Sequence, residues 1–116
     1  MQRSEIRGIL SNMVSYRRSS VPGGTYFFTA TLRDRSSRLL TDHAHLLRHA
    51  FAAAKRKQPF HIDAIVILPD HLHAIWTLPK GDSDYPGRWK AIKSAFTRAV
   101  AKAGIQIERN AKGEYA

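Results

Sequence analysis

The stretch Leu68-Pro69-Asp70-His71-Leu72-His73-Ala74-Ile75-Trp76-Thr77-Leu78 decides the fold. Its β-forming residues alternate in kind after the Pro-Asp pair, and in a strand successive side chains point to opposite faces. Leu72, Ala74, Trp76 and Leu78 therefore form a core-facing row, and His71, His73 and Ile75 share the other face. Two imidazoles about 6 to 7 Å apart along one face can close on a single cation. A pair of surface histidines on a half-buried strand is the alternative that the spacing leaves open.

Working outward, Pro69-Asp70 makes a turn, so the preceding run Phe60-His61-Ile62-Asp63-Ala64-Ile65-Val66-Ile67-Leu68 is the partner strand of a β-hairpin. It is apolar at both parities from Ala64, a pattern that expects cover on both faces. On the far side, after Pro79-Lys80-Gly81, the acidic turn Asp82-Ser83-Asp84 offers an N-cap for a helix from about Pro86 to Ala103. Trp89, Ile92, Phe96, Ala99, Val100 and Ala103 form its buried stripe, and Gly104 stops it. Residues 105–116 read as a polar tail.

Upstream, Thr25-Tyr26-Phe27-Phe28-Thr29-Ala30-Thr31-Leu32 is a further strand, followed by a charged turn from Arg33 to Arg38. A helix capped by Thr41 or Asp42 reaches about Lys57, with Leu46, Leu47, Ala50, Phe51 and Ala54 on one stripe; Lys55-Arg56-Lys57 suit the negative end of its dipole and Pro59 ends it. Its His45 and His49 have an i, i+4 spacing that also suits a metal, but no Glu accompanies them and a solvated face is the preferred reading. Tyr16-Arg17-Arg18-Ser19-Ser20-Val21-Pro22-Gly23-Gly24 is a basic loop, and residues 1–12 read as a disordered arm or an over-called translation start ahead of Met13.

Composition sets the bounds. The 116 residues are enough for one domain, here read as residues 13–104. There is no cysteine, which removes disulfides, thiolate nucleophiles and cysteine-ligated zinc, and no apolar run approaches a membrane span. A cytoplasmic protein with no membrane partner is expected. Nineteen Lys and Arg against nine Asp and Glu give a formal charge of +10, and a basic domain of this size most often meets nucleic acid. Residues 1–58 hold eleven cations and three carboxylates, so the first half carries most of the field.

The element order is β-α-β-β-α, one strand short of the ferredoxin-like β-α-β-β-α-β plan: an α+β fold with two helices on one face of an antiparallel sheet and the histidines on the other. Within that frame Tyr16-Arg17-Arg18, Pro22-Gly23-Gly24-Thr25-Tyr26-Phe27-Phe28-Thr29, the run from Ile62 to His73, Ile75-Trp76-Thr77-Leu78-Pro79, and Arg88-Trp89-Lys90 with Ile92, Lys93 and Phe96 together closely resemble the REP-associated tyrosine transposases. These belong to the single-tyrosine HUH transposases.

The resemblance implies an enzyme that binds single-stranded hairpin DNA at palindromic repeats and cleaves and rejoins it through a 5′-phosphotyrosine during DNA transposition. His71 and His73 would be catalytic as two ligands of a divalent ion, Mg2+ or Mn2+ by family. Tyr16, Arg17, Arg18, Arg33, Arg35 and Arg38, with Lys90 and Lys93, would contact the DNA. Family members continue with a fourth strand and then a helix bearing the nucleophilic tyrosine and the third metal ligand. This chain ends before both, so it reads as a truncated copy, and a non-catalytic DNA-binding remnant, acting as a regulator, is the alternative. An uncovered apolar face and a bare edge beside Tyr26–Leu32 are expected, and with them self-association.

Overall fold

The computed structural model of the chain describes residues 22–105 and, as backbone, residues 10–15. The expectations for Tyr16, Arg17, Arg18, residues 1–9 and residues 106–116 lie outside these. Four strands, β1 (Leu10–Ser15), β2 (Thr25–Leu32), β3 (His61–Ile67) and β4 (His71–Thr77), form one antiparallel sheet in the order β1-β2-β4-β3. Helices α1 (Leu39–Asp42), α2 (Ala44–Lys57) and α3 (Tyr85–Lys102) complete the mixed α+β plan.

Alternation makes the sheet two-faced. Tyr26, Phe28, Ala30 and Leu32 of β2, with Leu72, Ala74 and Trp76 of β4 and Leu78 just beyond it, are buried against Leu47, Ala50, Phe51 and Ala54 of α2 and Trp89, Ile92, Phe96 and Val100 of α3. Aromatic rings hold the centre: Trp76 stacks on Trp89 at 4.6 Å between centroids, and Phe28 and Phe60 lie 4.6 and 4.4 Å from Trp76. Ring pairs at these separations gain electrostatic complementarity beyond the area they remove from water.

The Leu68–His71 turn closes the hairpin through the Leu68 N–H and His71 carbonyl at 2.8 Å, and β2 pairs with β4 so that Thr29 opposes His73 and Thr31 opposes His71. At the other end, Gly23 takes φ 72° and donates its N–H to the Asp82 carbonyl at 2.8 Å. A Cβ there would crowd Lys80 Cα at 3.2 Å, so glycine suits both the backbone and the space.

Several expectations change. The edge beside β2 is not bare: β1 pairs with it from Leu10, inside the stretch that reads as an arm. The apolar run of β3 is not covered on both faces: Ile65 and Val66 are 37% and 54% exposed, and among the described residues β3 lies at the edge of the sheet. The helix expected from Thr41 or Asp42 is broken at His43 into α1 and α2, and no side chain caps α2. Ala103 is exposed, whereas Ile105, placed in the tail, packs partly against the core.

Candidate metal and nucleic-acid site

β4 alternates strictly, so His71, His73, Ile75 and Thr77 stand half-buried on the face away from the helices. The rings of His71 and His73 are 5.0 Å apart between centroids and nearly perpendicular. Each is held through Nδ1. That of His71 lies 2.9 Å from Asp70 Oδ1, and that of His73 lies 3.0 Å from Thr29 Oγ1. Phe27 adds a ring stacked on His73 at 5.7 Å.

The turn makes the first of these contacts directional. The Arg35 guanidinium hydrogen-bonds Asp70 Oδ2 and, with His71, holds the Asp70 carboxyl down at about 2. Asp70 is therefore ionised at neutral pH and can only accept, so His71 Nδ1 carries the proton and Nε2 is the nitrogen left to offer a lone pair. A carboxylate behind an imidazole is the arrangement that orients metal-ligating histidines and raises their basicity. The Thr29 hydroxyl can accept from His73 Nδ1 and leave the second Nε2 in the same state. Two imidazoles so held fit a divalent cation as a partial ligand set.

Among the described residues no third histidine or carboxylate joins the pair. Asp63 shares this face, but it accepts from Thr77 Oγ1 at 2.6 Å and lies 3.3 Å from His61 Nε2. Thr77 is four residues beyond His73, about 13 Å along the strand.

The arginine loop is brought to this same end. Arg33, Arg35 and Arg38 are exposed between β2 and α1, with Arg35 tied to the turn that carries His71 and Arg38 3.9 Å from Asp42. Lys90 and Lys93 are not brought there: they belong to α3, across the sheet. Lys90 is exposed; Lys93 is half-buried and its amine is pushed down by that burial. Of the tyrosines within the described residues, Tyr26 is buried in the core and Tyr85 packs on Tyr26 and Phe28 at 5.2 and 5.4 Å.

A REP-associated tyrosine transposase of Escherichia coli (strain K12) is 54% identical to this chain over 93 residues, covering 80% of the chain and 56% of that protein. A Haemophilus influenzae relative, named a putative member of the same family, is 41% identical over 98 residues, covering 84% and 56%. A solved structure of a REP-associated tyrosine transposase bound to a REP hairpin matches with a TM-score of 0.70 at 52% identity, over 76% of this chain and 53% of that one. Over the part it spans, the chain is similar to REP-associated tyrosine transposases. It spans about half the length of these relatives. No protein-family model matches the sequence.

Four residues of this fold escape a reading of the sequence. Asp70 reads there only as a turn residue, and its role depends on Arg35, 35 positions away. Thr29 and Phe27 reach His73 only through the β2–β4 register. Arg88 is not a surface cation: it is 1% exposed, and all its N–H donors are used by Asp82 at 2.8 and 3.0 Å and by the Gln58, Pro59 and Asp84 carbonyls. The acidic turn before the helix and the motif Arg88-Trp89 are the available signal for that pair.

Proposed function

We propose that this chain is the DNA- and metal-binding part of a transposase that takes single-stranded hairpin DNA at palindromic repeats and serves its cleavage and rejoining through a phosphotyrosine in DNA transposition. The observation that carries the proposal is the pair of imidazoles on one open sheet face, each with Nδ1 within hydrogen-bond distance of a side-chain oxygen, an arrangement in which Nε2 can serve a cation. A divalent ion there, Mg2+ or Mn2+, would polarise the scissile phosphate and offset charge on its oxygens. His71 and His73 would hold it, Asp70 and Thr29 would fix the two rings, and the exposed loop of Arg33, Arg35 and Arg38 would position the DNA backbone beside them. Tyr16, Arg17 and Arg18 are proposed as further DNA contacts, and Lys90 and Lys93 as contacts from the helix side. The compartment that fits is the cytoplasm; no described helix is long and apolar enough to cross a membrane.

The second reading, DNA binding without cleavage, is favoured by the two tyrosines among the described residues: neither Tyr26 nor Tyr85 faces His71 and His73. One experiment separates the two. The chain is incubated with Mn2+ and an end-labelled palindromic single strand, then resolved under denaturing conditions. Hairpin binding without a covalent adduct supports the second reading. An adduct on a tyrosine supports the first. Binding no tighter than to an unpaired strand of equal length contradicts both.

A further inference from the structure

The helix layer behind the sheet has a charge pattern that the metal face does not explain. α2 and α3 contain no Asp or Glu, and every described carboxylate lies in a loop, a strand or α1. Arg48, Arg56 and Lys57 of α2 and Lys90, Arg98 and Lys102 of α3 are all exposed. Elsewhere among the described residues three guanidinium groups are answered by carboxylates: Arg35 by Asp70, Arg38 by Asp42 and Arg88 by Asp82. The six helix cations have no ion-pair partner among the described residues, and the like-charged layer repels itself unless a polyanion neutralises it.

Its geometry selects among polyanions. Gln58 Nε2 donates to Asp84 at 2.9 Å and Arg88 caps the Gln58 and Pro59 carbonyls, so the C-terminus of α2 meets the N-terminus of α3 and the helices run back side by side. Arg48 and Arg56 are eight residues apart, as are Lys90 and Arg98, about 12 Å along each helix. Packed helices sit about 8 to 10 Å apart, so the cations form two rows with a spacing comparable to the phosphate backbones flanking a duplex groove. Unpaired strands are held by aromatic stacking as well as charge. Here Phe51, Trp89 and Phe96 all face inward.

We propose that the outer face of α2 and α3 is a second DNA-binding surface, which takes the phosphate backbone of double-stranded DNA without reading sequence. It is separate from the His71–His73 face and does not depend on cleavage there. The domain thereby holds flanking duplex on one side while a single strand occupies the other.

The test is fluorescence anisotropy of the full chain with a labelled blunt duplex of about 20 base pairs and, separately, a labelled oligo(dT) strand, each across a salt series. Replacing Arg48, Arg56, Arg98 and Lys102 together by Gln should weaken duplex binding at least tenfold at low salt. It should also flatten the plot of log affinity against log salt by about 0.9 for each phosphate that the variant no longer neutralises, with much less change for oligo(dT). Arg48→Lys, Arg56→Lys and Arg98→Lys together should preserve the slope, as should His71→Ala with His73→Ala. An unchanged duplex slope in the Gln variant would overturn the proposal. So would an equal weakening for duplex and single strand, or a flattened slope in the charge-preserving variant.

Discussion

His71 and His73 sit where strand alternation puts them, and that much is legible from eleven consecutive residues. What would fit them to hold a metal is not legible, because it depends on groups that only the fold brings near. Thr29 lies 44 positions from His73, and Asp70 becomes a fixed acceptor only once Arg35 returns to the turn. The consequence can be measured. Asp70→Ala should weaken Mn2+ binding by about tenfold or more, the usual effect of removing a group behind a ligating histidine, and Asp70→Asn should recover part of the affinity because its amide oxygen can still accept from Nδ1. Both variants should unfold cooperatively, since Asp70 belongs to a turn outside the apolar core. Isothermal titration calorimetry with Mn2+, alongside thermal unfolding, checks this; equal affinity in all three proteins would show that the carboxylate does not orient His71.

At the scale of elements, α3 is readable because Asp84 accepts from the Gly87 N–H at 2.9 Å as an N-cap should and because its apolar stripe keeps helical period. β3 misleads for a physical reason. A short apolar run looks the same whether neighbours cover it or it ends a sheet, so Ile65 and Val66 could not reveal their exposure. The break at His43 likewise leaves no mark in composition. The joint between α2 and α3 depends on Asp82, whose carboxyl is held at about 2 chiefly by Arg88 and then by the Asp84 N–H. A depressed carboxyl stabilises the folded state fully above its unfolded value near 4 and loses that contribution as pH falls through about 2. Thermal unfolding from pH 7 to pH 2 should show the midpoint dropping below about pH 4. Asp82→Asn should begin lower at pH 7, by about 3 kcal/mol of stability because Arg88 is left buried without its counter-charge, and should fall less steeply in acid. Parallel curves for the two proteins would contradict this role.

For the whole molecule, the α+β plan with helices on one face is legible in the sequence, as are the core row and the placement of the histidines away from the helices. Where the charge lies is only half legible. Counting by sequence puts the field in the first 58 residues, but the described carboxylates of the second half gather in the strand and turns around Asp63, Asp70, Asp82 and Asp84, leaving α3 as free of acidic groups as α2. The open face also carries apolar groups. Phe27 and Ile75 are half-exposed beside Val66, and β3 pairs on one side only among the described residues. Such an edge invites pairing with another copy, and a lysine on it blocks that. Val66→Lys should therefore shift the chain toward monomer in sedimentation measured over a concentration series; an identical, concentration-independent monomer in both proteins would remove the case for self-association. The most direct test of the site itself is a Mn2+ titration of the full chain followed by the electron paramagnetic resonance signal of the free ion. The expected result is saturable loss of that signal at one ion per chain, abolished by His71→Ala and separately by His73→Ala with folding intact. Binding that survives either substitution would place the metal elsewhere and contradict the assignment of this sheet face.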